Sequence, residues 1–117
     1  MNKKNLFFGI IIGLLCFGNT SAQGTFTAIA NGSWTTSGSW SHTGVDGDNI
    51  PDADDIVTIP SLITITMPAG NQQVAQLTIQ SGGTLNMNTD GAILDIFANG
   101  GLLQVDLGGT IQDSNNN

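Results

Sequence analysis

Apolar residues in this chain come in short β-branched runs rather than at helical spacing. Ile56-Val57-Thr58-Ile59 and Ile63-Thr64-Ile65 are two such runs, separated by the turn signal Pro60-Ser61. Pro68-Ala69-Gly70 followed by Asn71-Gln72-Gln73 reads as a connection. The segment VAQLTIQ, residues 74–80, then places Val74, Leu77 and Ile79 at close to a strand period. In AILDIFA, residues 92–98, either Leu94 and Ile96 or Ile93 and Phe97 can face a core, because a one-residue slip swaps the faces. The pattern predicts Leu94 and Ile96 inward, which leaves Asp95 in water.

The C-terminal half carries a repeat. GGTLNM at 82–87 recurs as GGLLQV at 100–105 and as GGTIQ at 108–112, with Gly91-Ala92-Ile93 as a weaker unit. The second glycine of each unit (Gly83, Gly91, Gly101, Gly109) starts an apolar strand, and two residues later stands Leu85, Ile93, Leu103 or Ile111. Two steps amount to 18 residues, an offset that sets Leu85 on Leu103 and Met87 on Val105. Strands this short cannot bury a face alone, whereas stacked coils can, which is the logic of a solenoid. Glycine and Asn suit the corners because corners often need positive φ. The expected fold is all-β, a parallel β-helix (β-solenoid) segment with a polar N-terminal cap. An antiparallel β-sandwich with hairpins at Gly-Gly is the alternative.

The N-terminal residues change the picture from fold to location. Asn2-Lys3-Lys4, an apolar run from Leu6 to Phe17, and the small residues Thr20-Ser21-Ala22 make residues 1–22 a secretory signal. The run is short for a membrane span, so none is expected in the mature chain. Leu15 before Cys16 argues against lipidation, which wants a small residue there. The mature product is expected to be secreted or held at the cell surface. Residues 23–55, with NGSWTTSGSWSHTG, form the expected cap region, and 56–117 the coils, expected to continue beyond the last residue.

Charge narrows the function. The chain has nine Asp and no Glu, and its only basic residues, Lys3 and Lys4, fall in the signal. Without cations to neutralise phosphates, nucleic acid is excluded as a partner. Cys16 is the sole cysteine and leaves with the signal, so neither a disulfide nor a thiol mechanism is expected. Lyase chemistry beside a sugar carboxylate uses Arg, Lys, His or Tyr as base, and residues 23–117 contain no Arg, Lys or Tyr. His42 is the lone histidine and reads as a surface loop residue. A glycosidase would need two flanking acids, and only Asp95 and Asp106 lie in the coils. No catalytic residue is assigned.

Two groups of residues are candidates for binding. In DGDNIPDADD, Asp46, Asp48, Asp52, Asp54 and Asp55 offer hard oxygen ligands among flexible residues, which suits calcium. The stretch resembles one aspartate-rich repeat of thrombospondin type 3, but the EF-hand pattern is absent. The alternative is that these residues only make turns and solvate the approach to a strand. Trp34 and Trp40 could stack on a polysaccharide or other cell-surface ligand. Alternatively they cover the open end of the first coil.

The order NGSWTTSGSW, IPDADDIVTIP, ITITM and VAQLTIQSGGTLNM resembles the N-terminal part of secreted bacterial surface proteins, many from Bacteroidota. These are of the pectin-lyase-like or adhesin type, built on right-handed parallel β-helices. The resemblance covers about residues 31–111 and implies an architecture more than an activity.

Overall fold

The computed structural model of the chain describes residues 23–97 and 100–114; the expected signal, residues 1–22, lies outside them. The described residues are all-β. The strands are β1 (Thr25–Ala28), β2 (Gly32–Ser33), β3 (Trp40–Thr43), β4 (Ile56–Ile59), β5 (Thr64–Thr66) and β6 (Gly70–Val74). They continue as β7 (Gln76–Ile79), β8 (Thr84–Asn86), β9 (Ala92–Ile96), β10 (Leu102–Val105) and β11 (Thr110–Gln112). A single 3-10 turn, Ser37–Ser39, precedes β3.

Three sheets result, ordered β10-β7-β4-β1-β3, β11-β8-β5-β2 and β6-β9. Every pair but β1–β3 is parallel, which is not the pairing of an antiparallel sandwich. The first sheet is therefore mixed. Strand by strand the register advances together. Ile56 lies beside Gln76 and Gln76 beside Leu102, while Thr64 lies beside Thr84 and Thr84 beside Thr110. Both series step by 20 and then by 26 residues.

The expected 18-residue offset is thereby corrected. Leu85 pairs with Ile65 and Ile111, and Leu103 pairs with Leu77. The Gly-Gly units look alike but stand at different corners. Gly82 donates its N–H to the carbonyl of Gly108 (2.8 Å), and Leu62 donates to Gly82 (3.0 Å), so 62, 82 and 108 form one corner stack. All three adopt positive φ (67°, 79° and 92°), which only glycine tolerates freely. The second glycine has another reason. A Cβ on Gly83 would lie 2.6 Å from the carbonyl oxygen of Ile59, and one on Gly109 would lie 2.7 Å from that of Ile79.

One core serves all three sheets. Phe26 and Ala28 of β1, Val57 and Ile59 of β4, and Leu77 and Ile79 of β7 point into it beside Ile65, Leu85 and Val74. Leu94 and Ile96 pack against the core, while Ile93 and Phe97 are exposed, as the face assignment in AILDIFA expects. Each second glycine stands directly before a strand, also as expected. A further expectation fails. Residues 70–74 are a strand, not a connection, since β6 pairs in register with β9 from Gly70–Ala92 to Val74–Ile96. Its Gln side chains gave no apolar signal because its pairing partner, not burial of alternate residues, holds it.

Residues 23–55, the expected cap region, also contribute strands to the sheets. β1 pairs in parallel with β4 and β2 with β5, so residues 25–33 already belong to the stack. The cap proper is the 3-10 turn, β3 and the loop 44–55. Far from being polar inside, it buries Trp34 and Trp40.

Candidate functional site

The aspartate-rich stretch and the tryptophans meet at this capped end. Trp34 is fully buried and Trp40 is 5% exposed. Their rings meet edge to face at 5.2 Å, and Phe26 meets Trp40 edge-on at 6.3 Å, both favourable aromatic geometries. The polar ends are satisfied: Trp40 Nε1 donates to the Trp34 carbonyl (2.8 Å) and Trp34 Nε1 to that of Pro51 (3.4 Å). With both indoles in the core, neither face is free to stack on a sugar. The covering role weighed for them is the one their burial supports. His42 is not in a loop; it lies in β3, opposite Phe26, with its ring stacked on that phenyl at 5.3 Å.

Asp55 is the buried member of the acidic stretch, at 2% exposure. Its Oδ1 accepts from the Gly24 N–H (2.7 Å) and its Oδ2 from the Asp52 N–H (2.8 Å). Its own carbonyl accepts from Ala75 (3.0 Å) and Gln76 (3.2 Å). One residue therefore fastens the start of β1, the loop and the start of β7 at a single corner. Shorter than Glu and ionised, Asp can reach two backbone donors from a strand start, and this gives Asp-Asp-Ile-Val its local logic. Burial raises the Asp55 carboxyl above its usual value, despite the two backbone N–H groups that favour its ionised form. The nearby acids Asp52 and Asp46 push the same way. Asp52, though exposed, is likewise raised, first by partial desolvation and then by side-chain and charge contacts with Asp54, against the Asp54 backbone N–H, which lowers it.

The five candidate ligands separate in space. Carboxylate oxygens of Asp46, Asp52 and Asp55 lie within 4.8 Å of one another. Asp48 instead turns back on its own loop, its Oδ1 accepting from Ile50 N–H (2.9 Å). Asp54 joins through its backbone N–H to Asp52 Oδ1 at 3.4 Å. Asp46 Oδ2 is buried and has no hydrogen-bond partner. Asp95 and Asp106 stand apart from this group, each bonded to an amide: Asn71 Nδ2 (2.7 Å) and Gln104 Nε2 (2.8 Å) respectively.

At the opposite end, Leu103 and Ile111 line a cavity of about 180 Å³ with Leu77, Leu85, Leu94 and Ile96. Sequence reasoning did not single out this apolar hollow. Its signal was the same Gly-Gly-x-Leu repeat, read there only as core.

No protein-family model matches the chain, and neither a curated protein nor a solved structure matches it. Among the described residues, no helix is long and apolar enough to cross a membrane.

Proposed function

We propose that the chain is a secreted, non-catalytic segment of a bacterial cell-surface protein, with a structural or adhesive role, built as coils of a parallel β-helix. The observation that carries this reading is the common register. Strands of two sheets advance by the same 20 and then 26 residues, as corners stacked one above another require. The export motif of residues 1–22 and the resemblance of residues 31–111 to surface proteins supply the location and the role. Asp95 in β9 and Asp106 just after β10 are each engaged by an amide, and residues 23–117 carry no Lys, Arg or Tyr for proton transfer from an acidic sugar.

Two measurements test this. A reporter fused after Ala22 is expected to be exported from a bacterial host, and its retention in the cytoplasm would remove the surface reading. Beads coated with the protein are expected to bind a cell surface or matrix without altering it. Release of reducing ends or unsaturated sugars from any polysaccharide would show catalysis and contradict the proposal. Tryptophan fluorescence should be indifferent to polysaccharides, because Trp34 and Trp40 are buried. A saturable shift would return the carbohydrate-binding reading.

A further inference from the structure

We propose that Asp46, Asp52 and Asp55 form a divalent-cation site of the calcium type, which fastens loop 44–55 to the first strands. Three carboxylate oxygens within 4.8 Å of one another match ligands around a single ion, since opposite oxygens at about 2.4 Å from calcium stand ~4.8 Å apart. The second observation is independent of that spacing. Asp46 Oδ2 is buried without any hydrogen-bond donor, an arrangement that costs free energy unless something positive meets it. The protein has nothing of its own to supply: residues 23–117 contain no Lys or Arg. His42, the one imidazole, is committed to Phe26.

Asp55 is pre-oriented by the N–H groups of Gly24 and Asp52, and each of its oxygens keeps a lone pair for a metal. Asp52 is exposed and leaves a path for the ion and its remaining waters. Hard carboxylate oxygens with no nitrogen or sulfur partner select calcium over zinc or copper. Asp48 and Asp54 fall outside the triad. The site does not depend on the coils being a β-helix, because it is built within one loop and its anchor.

The test uses the full chain, titrated with Ca²⁺ and, separately, with Tb³⁺. Trp34 donates to the carbonyl of Pro51, the residue before Asp52, so it stands close enough to sensitise terbium luminescence. Expected are a melting midpoint that climbs with Ca²⁺ concentration over that in EDTA, and terbium emission that Ca²⁺ quenches by competition. Asp46→Asn and Asp52→Asn should each weaken binding about tenfold or more, because affinity follows ligand charge. Asp48→Asn, whose carboxylate turns back on its own loop, should leave it unchanged. In EDTA, Asp46→Asn should melt no lower than the parent, which separates loss of a ligand from loss of the fold. Equal midpoints in Ca²⁺ and EDTA without sensitised emission would overturn the site. Equal weakening by all three variants would overturn it too, since that is a diffuse counter-ion cloud.

Discussion

At the end of the strand stack nearest the N-terminus, β3 turns antiparallel onto β1 and occupies its free edge, while Trp34, Trp40 and Phe26 fill the space below. At the other end, β10 and β11 are the outermost strands of their sheets among the described residues. Their inward residues Leu103 and Ile111 are still 47% and 45% exposed. Leu77 and Leu103 make the difference plain: they are register partners on adjacent strands, yet Leu77 is fully buried. Leu85 and its register partner Ile111, each two residues after a second glycine, repeat the contrast at 1% and 45% exposure, so one Gly-Gly pattern yields core or surface according to whether a further strand covers it. Burial in these sheets depends on whether a further strand covers the residue, and local sequence does not report it.

The largest effect should follow from emptying the closed end. Trp34→Ala is expected to cost about 3–5 kcal/mol, read from urea midpoints, because it leaves a buried void and strands the Pro51 carbonyl. A loss below about 1 kcal/mol would mean that the cap contributes little.

Next comes the contrast between partners. Leu77→Ala should cost about 2–5 kcal/mol. Leu103→Ala should cost about 1 kcal/mol or less, since half its surface is already in water. Equal losses would show that some other surface covers the open end in solution. Among the described residues, that end presents the outer edges of β10 and β11 and apolar side chains, features that suit pairing with another strand.

A smaller change distinguishes the corners. Leu62 holds positive φ where the next two layers use glycine, and its side chain is 86% exposed. Leu62→Gly should therefore stabilise by a few tenths to about 1 kcal/mol, the left-handed strain relieved less the added freedom of the unfolded chain. A destabilised variant would show that the side chain has a packing role.

The smallest expected effect is that of acid on the capped end. Asp52 and Asp55 have folded-state values raised above 3.8, chiefly by burial. Between the unfolded and folded values the native state binds more protons, so stability falls as pH rises through that window. In EDTA, the urea midpoint should thus increase on acidification from neutral pH toward the ordinary carboxylate value of 3.8. A midpoint that drops would mean that the N–H groups of Gly24 and Asp52 outweigh burial at Asp55.

Several of these features were legible in the residues. Second glycines mark strand starts, at Gly83, Gly101 and Gly109 because only glycine fits against a neighbouring carbonyl and at Gly91 because φ is positive, and Asp95 sets the face of β9. The tryptophans, large anchors in a polar segment, are where an apolar edge needs cover. What stayed hidden depends on partners distant in sequence. The 18-residue offset aligned Gly82 with Gly100, yet Gly82 bonds to Gly108, because like dipeptides serve unlike turns. β6 is nearly all polar, and only β9 makes it a strand. In β1, Thr-Phe-Thr-Ala alternates exposed and buried residues cleanly, but two apolar residues amid polar ones gave too weak a signal. For the aspartates, spacing offered five equal ligands, and loop geometry selected three.

Spin-label pairs test the shared parallel register most directly, since residues 23–117 contain no cysteine to interfere. Thr64 lies beside Thr84, which lies beside Thr110; likewise Thr58 lies beside Thr78 and Thr78 beside Gln104. Nitroxides at 64/84 and 58/78 should broaden each other strongly, being one strand spacing of about 4.8 Å apart. Pairs at 64/110 and 58/104 should do so more weakly, at about twice that spacing. Absence of coupling in the adjacent pairs, or equal coupling at both separations, would contradict the stack of parallel layers.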